Sequence, residues 1–477
     1  MPEDSPIKFG TDGWRAIIAE DFTFDNVSLC AQAVAEYLKD SGLAQRGLVI
    51  GYDTRFASED FAKTAADVIC GNGIKVYFCP EATPTPVISY GVLARKAGGA
   101  IVITASHNPP QWNGFKYKSA DGTSAPAEVI AELEKRIAAI TTKGKMSRMP
   151  LAEARRRELL DKINLAPIYT EQIKKLIDLD GLRKAGLKIV VDSMYGAGIG
   201  YFRMLLDGGT TSIIEINGER NPAFPGIKQP EPIAVNLTKL SDRVREEKAD
   251  VGIATDGDSD RIGIVDEKGN FPTQLQVFAL LVLYLLEVRG ERGAIVKTIT
   301  TTSMLYRLGE MFDVPVHETP VGFKYVAPIM LTRNALVGGE ESGGYGYRGH
   351  VCERDAILSG LYFLDLMAKT DKTPSQLLDY LYSKVGPHHY SRLDIEFAKE
   401  QRGKIISRVR DSSPETLGGV KVANKDTLDG FRFALDDSSW LLIRFSGTEP
   451  LLRIYSESDS QQRAEKLLEL GREIAGV

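Results

Sequence analysis

Cysteine is scarce in this chain. The four present, Cys30, Cys70, Cys79 and Cys352, form no Cys-x-x-Cys pair and have no histidines at metal-ligand spacing. That argues against a disulfide framework or a zinc site and suits scattered thiols in a reducing compartment. Long hydrophobic runs are missing too. The most apolar stretch, Val277 to Leu286, is ten residues, too short to cross a bilayer and suited to a buried core helix. Neither sign of charge dominates: 59 basic against 64 acidic side chains leave a net charge of −5. This gives no electrostatic case for nucleic acid or an anionic membrane as the main partner. The opening Met-Pro-Glu-Asp-Ser-Pro lacks a basic n-region and an apolar h-region, so no signal peptide is read and a cytoplasmic location is expected.

What is present is a soluble composition over 477 residues, enough for three or four domains. Strand and helix patterns alternate: a helix near 25–39, a strand at 48–53, a helix near 59–70, a strand at 75–78 and a helix beginning near Pro84. Such alternation means α/β architecture. The apolar, β-branched run Ala100-Ile-Val-Ile103 reads as a buried strand. It ends in Thr104-Ala-Ser-His-Asn-Pro-Pro110, and the polar residues and paired prolines forbid its continuation. Ser106 is therefore expected on a turn at a strand end, where α/β proteins place their chemistry.

Three further loops carry chemistry. Asp250-Val-Gly-Ile-Ala254 reads as a strand delivering Thr255-Asp-Gly-Asp-Ser-Asp-Arg261. Alternating aspartates can turn their carboxylates onto one hard cation, and Mg²⁺ favours such oxygen donors. An EF-hand is the rival, since Glu267 falls at the twelfth position, but Arg261 stands where that loop needs glycine. Val337-Gly-Gly-Glu-Glu-Ser-Gly-Gly344 lets the backbone approach a ligand closely, with Glu340 and Ser342 suited to sugar hydroxyls. Near the C-terminus, Arg444-Phe-Ser-Gly-Thr448 between two strands, the second carrying Arg453, combines hydroxyls, backbone N–H groups and guanidinium forks, the parts of an anion cradle. Two turns keep two readings at this point: Phe9-Gly-Thr-Asp-Gly-Trp-Arg15 with Arg15 facing a cleft or solvent, and Asp53/Arg55 as cleft support or a structural ion pair. The glycine turn Tyr195-Gly-Ala-Gly198 lacks the remaining marks of a dinucleotide fingerprint.

Thr-Ala-Ser-His-Asn-Pro, Asp-Gly-Asp-x-Asp-Arg, Gly-Glu-x-Ser-Gly and Arg-x-Ser-Gly-Thr-Glu-Pro, in this order, resemble the α-D-phosphohexomutases, the group containing phosphoglucomutase and phosphomannomutase. The resemblance covers essentially the whole chain and is closest in motif to a bacterial-type phosphoglucomutase. It implies three related α/β domains with mixed sheets plus a smaller C-terminal α+β domain, with loops converging on one cleft. The divisions expected are 1–155, 156–268, 269–384 and 385–477.

The resemblance also implies roles. Ser106 carries the exchanged phosphoryl group. Asp256, Asp258 and Asp260, with the phosphate on Ser106, hold Mg²⁺. Arg15 faces the site, and Arg261 reaches the phosphoserine or substrate. Lys324, Glu340 and Ser342 recognise the sugar. Arg444, Ser446, Gly447, Thr448 and Arg453 anchor the phosphate that is not being transferred. His107 and Lys116, which matches the lysine of Asn-Gly-x-Lys, are the candidates for acid–base work. The implied reaction moves phosphate between C1 and C6 of a hexose phosphate through a bisphosphorylated sugar, with glucose 1,6-bisphosphate as activator and the enzyme a monomer or homodimer.

Two departures bear on specificity. Dual-specificity phosphomannomutases typically carry histidines where this chain has Gly344 and the Phe323-Lys324 pair. Glu-Glu-Ser with Gly-Phe-Lys points to glucose phosphate, ahead of mannose phosphate or dual specificity. An aminosugar mutase is less favoured because Glu341 stands in place of the usual glutamine. An Asp-x-Asp phosphatase would leave Ser106 without a purpose, and a non-catalytic sugar-phosphate sensor is expected to have lost the serine or an aspartate.

Overall fold

Four β-sheets follow one another along the chain. The computed structural model describes residues 7–144, 146–445 and 451–477. The first sheet is built from β1 (Trp14–Ile17), β2 (Leu48–Tyr52), β3 (Val76–Phe78), β4 (Ala100–Ile103), β5 (Trp112–Lys118) and β6 (Leu160–Lys162), in the spatial order β1-β5-β4-β2-β3-β6. Its parallel centre, β4-β2-β3, is apolar and buried almost throughout, as parallel strands covered by helices on both faces must be. The helices Phe24–Asp40, Ser58–Gly71 and Thr85–Arg95 fall where alternation predicts them.

The second sheet holds β7 (Lys188–Asp192), β8 (Ser212–Ile216), β9 (Val251–Thr255) and β10 (Ile262–Val265), ordered β10-β9-β7-β8. The third holds β11 (Ile295–Thr298), β12 (Val316–Thr319), β13 (Val337–Gly339) and β14 (Tyr345–Tyr347), ordered β12-β11-β13-β14. One device recurs in all three: a parallel strand (β4, β9, β13) turns back into an antiparallel neighbour (β5, β10, β14). The loops at these reversals carry Ser106, the three aspartates and Glu340. The fourth sheet, β15 (His389–Glu396), β16 (Thr416–Leu417), β17 (Val420–Asp426), β18 (Phe431–Leu435), β19 (Trp440–Phe445) and β20 (Leu451–Ser458), is antiparallel and backed by the helix Gln461–Ala475. The chain is thus three α/β domains with mixed sheets and a C-terminal α+β domain.

Two strands, β1 and β5, are not anticipated by the sequence reading. In β5, Phe115 and Tyr117 face the first domain's core while Gly114, Lys116 and Lys118 occupy the alternate face. β6 adds to the far edge of the first sheet although it lies beyond residue 155. A single apolar cluster runs from Val49 and Val102 through Ile189 and Val251 to Ile295, Val337 and Leu361, so the first three domains share a core. The apolar run at Val277–Leu286 lies inside the buried helix Gln274–Leu283 and its π-wound last turn. Among the described residues no helix is long and apolar enough to cross a membrane.

Candidate active site

Ser106 sits in the left-handed region at φ 51° and is wholly buried. A serine held there is strained, and its neighbours must over-determine the turn. Thr104 Oγ1 accepts from the Ser106 amide at 2.8 Å and donates to Asp53 at 2.6 Å. Arg55, fully buried, donates to the carbonyls of Ser106 and Asn108 at 2.6 Å, Pro109 at 2.9 Å and Trp112 at 3.1 Å. Its Nε also lies 3.2 Å from Asp53. Both readings of this pair hold: the ion pair is structural, and what it structures is the serine loop.

The aspartate loop docks directly on the serine loop. Ser106 Oγ donates to Asp256 Oδ2 at 2.6 Å, and Thr85, opening a helix of the first domain, donates to Asp258 Oδ2 at 2.6 Å. A Cβ on Gly257 would lie 2.4 Å from the Ser106 carbonyl oxygen, so only glycine permits the approach. Oxygens of Asp256, Asp258 and Asp260 lie within 4.8 Å of one another, all buried. Burial and the two neighbouring carboxylates push Asp256 well above the ordinary range. Asp258 Oδ1 and Asp260 Oδ1 are buried and accept no hydrogen bond. Orphaned carboxylate oxygens converging in this way fit a hard divalent cation such as Mg²⁺.

Cationic side chains surround the aspartates. Lys116 Nζ lies 2.7 Å from Asp12, 2.8 Å from Asp258 and 3.3 Å from Asp260. Burial alone would lower its pKa, but these three carboxylates outweigh burial and raise it. His107 Nδ1 is 3.5 Å from Ser106 Oγ, and burial together with Arg261, Arg15 and Arg55 holds the imidazole well below its usual pKa. Arg15 donates to Asn108 Oδ1 at 2.7 Å and lies 3.5 Å from His107 Nδ1, so its guanidinium turns to the serine loop. Arg261 lies 3.8 Å from Asp260 and 3.5 Å from Glu231.

Glu340, buried at the third reversal, pairs with Arg354 at 3.2 Å. Ser342 follows it, half-buried, and Lys324 opens the helix Phe323–Arg333 with its ammonium 5.3 Å from the Tyr325 ring centroid. Arg444 ends β19 and donates to Asp429 at 2.9 Å, while Arg453 on β20 lies 3.7 Å from Asp394. Ser446, Gly447 and Thr448 lie outside the described residues.

Four charged residues of the cluster carried no role in the sequence reading: Asp12, Lys118, Glu353 and Arg354. Arg354 reaches Asp12 at 2.5 Å, Asp260 at 2.8 Å and Glu340, so one guanidinium touches carboxylates of all three α/β domains. It can do so because residue 344 is glycine: a Cβ there would lie 2.3 Å from Arg354 Cδ. Lys118 pairs with Glu353 at 2.7 Å, both wholly buried. The signals were present: alternation across Phe115-Lys-Tyr-Lys118 puts both lysines on one face, and Glu353-Arg-Asp355 stands directly before an apolar helix.

A buried serine hydrogen-bonded to a carboxylate triad with the donors for a divalent cation, ringed by arginines and lysines, suits a phosphoryl-transfer enzyme. The chain matches the family descriptions "Phosphoglucomutase/phosphomannomutase, alpha/beta/alpha domain I", "domain II" and "domain III" over residues 6–144, 167–269 and 274–385, and the family's C-terminal domain over 405–473. It is 32% identical over 465 residues to a phosphoglucomutase/phosphomannomutase of Thermococcus kodakarensis, covering 97% of each chain. It is 28% identical to a phosphoglucosamine/phosphogalactosamine mutase of Sulfurisphaera tokodaii, covering 96% of this chain and 97% of that one. A crystal structure of a Thermus thermophilus protein assigned as a phosphomannomutase superposes with a TM-score of 0.85 at 33% identity, covering 99% of this chain and all of the other. The chain belongs to the phosphoglucomutase/phosphomannomutase family of α-D-phosphohexomutases, an isomerase acting on sugar phosphates.

Proposed function

We propose that this protein reversibly moves phosphate between C1 and C6 of a hexose phosphate, with conversion of glucose 1-phosphate into glucose 6-phosphate preferred over other sugars, through phospho-Ser106 and a bisphosphorylated sugar. The observation that carries this reading is the 2.6 Å bond from Ser106 Oγ to Asp256, which joins the nucleophile's loop to the carboxylate triad. In the first half-reaction the bond between phosphorus and Ser106 Oγ breaks as one forms to the free sugar hydroxyl, whose proton passes to His107, which burial and the surrounding arginines keep neutral; Lys116, held protonated by its three carboxylates, serves as a cation. The bisphosphate turns within the cleft, and its other phosphoryl group returns to Ser106. Asp256, Asp258, Asp260 and the phosphate on Ser106 would hold Mg²⁺, which would supply charge neutralisation for the transferred group.

The protein's own groups do the positioning that phosphoryl transfer chiefly requires. Arg15, bonded to Asn108 of the serine loop, and Arg261, beside Asp260, receive the transferred phosphate. Glu340, Ser342 and Lys324 hold sugar hydroxyls, and Arg444, Arg453, Ser446, Gly447 and Thr448 hold the distal phosphate. Glucose 1,6-bisphosphate, which phosphorylates Ser106 directly, is the expected activator, and the reaction is placed in the cytoplasm.

Glucose is preferred on the strength of Glu341, Gly344 and the Phe323-Lys324 pair. The aminosugar mutase among the relatives supplies the second reading. Conversion of glucose, mannose and glucosamine 1-phosphates with Mg²⁺, wild type beside Ser106→Ala, tests both. Fast glucose turnover lost in the variant supports the proposal. A glucosamine or mannose preference replaces the substrate and keeps the mechanism, and no turnover even after priming with the bisphosphate removes the reading altogether.

A further inference from the structure

Strand β15 alternates cleanly. Leu393 and Ile395 pack into the C-terminal core, while Tyr390, Arg392 and Asp394 occupy the opposite face. That second face meets the sugar loop of the third domain. Glu340 of that loop turns inward to Arg354, but its neighbour Glu341 turns the other way. Its Oε1 accepts from Tyr390 Oη at 2.9 Å and from Arg392 at 3.3 Å.

Arg392 is committed on its other side. It donates two parallel bonds to Asp394, Nε to Oδ1 at 2.7 Å and the second nitrogen to Oδ2 at 2.6 Å. Such fork-on-carboxylate pairing fixes orientation as well as distance. Asp394 stands directly opposite Arg453 across the β15–β20 ladder, and Arg453 Nε lies 3.7 Å from its Oδ2. The Arg392 guanidinium also lies 5.7 Å from the Tyr455 ring centroid, which limits its swing. The charges therefore run Glu341, Arg392, Asp394, Arg453, from the sugar loop to an arginine beside the distal phosphate.

We propose that Arg392 is a positioning residue that couples the sugar-recognition loop to the phosphate cradle, holding Glu341 with one side of its guanidinium and setting Arg453 through Asp394 with the other. This rests on the mutase reading of the preceding section. Two parts of one substrate, the hydroxyls and the distal phosphate, are gripped by different domains, and their spacing must match the sugar in both orientations. A charge chain from one grip to the other sets that spacing. It also gives residue 341 a role away from the sugar: its carboxylate faces the C-terminal domain.

The test is steady-state kinetics on glucose 1-phosphate for Arg392→Ala, Arg392→Lys, Glu341→Gln and the double variant Arg392→Ala/Glu341→Gln, with denaturation curves run alongside. Arg392→Ala is expected to raise KM about tenfold, within the usual range for coupled charged neighbours. More of the bisphosphorylated sugar should escape into solution per turnover, so that activity comes to depend on added glucose 1,6-bisphosphate. Arg392→Lys should recover part of the loss. Glu341→Gln, which keeps the Tyr390 bond and removes the ion pair, should raise KM less, and the double variant should be no worse than Arg392→Ala alone. A KM within twofold of wild type for Arg392→Ala, or effects of the two single changes that multiply, overturns the coupling. If Arg392→Ala does not fold, Arg392→Lys and Glu341→Gln carry the same comparison. An inactive wild type fails the mutase reading itself, whereas an active wild type with indifferent variants fails only this inference.

Discussion

Ser106 Oγ donates its proton to Asp256 Oδ2 across 2.6 Å, although the two residues are 150 positions apart. Each sits at the reversal from a parallel strand to its antiparallel neighbour, in a different sheet. Ser106→Ala is therefore expected to leave the fold intact and lower turnover by at least about 10³-fold, since covalent catalysis is lost outright. Intact-protein mass after incubation with glucose 1,6-bisphosphate should show one added phosphoryl group in wild type and none in the variant. Phosphorylation of the variant at another residue would refute the assignment.

Chelation separates the cation's role from the fold's. Asp258 and Asp260 each hold a buried oxygen without a donor, while Asp256 Oδ1 accepts from the amides of Asp260 and Arg261 at 2.9 and 3.1 Å. The loop's shape thus has its own backbone support. EDTA should abolish turnover with little change in circular dichroism, and Mg²⁺ should restore it. Full activity after exhaustive chelation would exclude the carboxylate triad as a working metal site.

Gly257 tests the contact between the two loops. A methyl group there would stand 2.4 Å from the Ser106 carbonyl oxygen, which is backbone and cannot swing aside. Gly257→Ala should push the loops apart and lower kcat roughly 10²-fold, the scale of an ångström-level misplacement of reacting groups. An alanine variant with normal kcat would show that the loops do not work in contact.

Arg55 is the keystone of the serine turn. Arg55→Met removes a wholly buried guanidinium and leaves the carbonyls of residues 106, 108, 109 and 112 without their donor, and Asp53 without its cation. Stripping one partner from a buried pair costs about 3–5 kcal/mol. Urea denaturation should show a loss of that order, with turnover falling alongside it. A stability loss under about 1 kcal/mol would mean that the turn is held by other contacts.

The junction between the third and fourth domains should be acid-labile. Arg432 donates twice to Glu318 at 2.6 Å, and Lys297 reaches the same carboxylate at 2.7 Å. Burial would raise Glu318, but Lys297 and Arg432 bring it down to about 2 from the ordinary 4.5. A depressed carboxylate stabilises fully above the unfolded pKa, and the contribution drains away as pH falls through the folded one. Wild type should therefore lose about 3 kcal/mol between pH 4.5 and 2 that Glu318→Gln does not lose. Trp440, buried beside Tyr390 and Tyr455 in the same junction, reports it by fluorescence. Parallel acid limbs for the two proteins would contradict the assignment.

The sequence disclosed the alternation of strands and helices and the loops that carry chemistry, because those loops need residues of special kind: paired prolines, glycines at close approaches, carboxylates at alternate positions. What it hid was the charge that completes the site. Arg354 has no local pattern around it, and its role exists only because β13 reverses at Gly344 and brings it over Asp260 and Asp12. Strand β5 was hidden for another reason. Trp112-Asn-Gly-Phe-Lys-Tyr-Lys118 contains an Asn-Gly pair that signals a turn, and only its place between β1 and β4 forces it to extend. Glu341 was legible as part of the sugar loop, but its direction was not, since neighbouring side chains in a loop point wherever the domains around them allow.

Asp12 and Arg354 lie 342 residues apart. A ribosome adding roughly 5–20 residues per second needs on the order of 20 to 70 s to travel that interval. For 235 residues of it Lys118, a wholly buried lysine of the first domain, waits for Glu353. The first domain emerges with its charges unbalanced, and it is the later chain that neutralises them. A nascent or truncated product that stops short of residue 353 therefore holds Ser106 in a half-built electrostatic setting, without the cation of Arg354 or the carboxylate of Glu353.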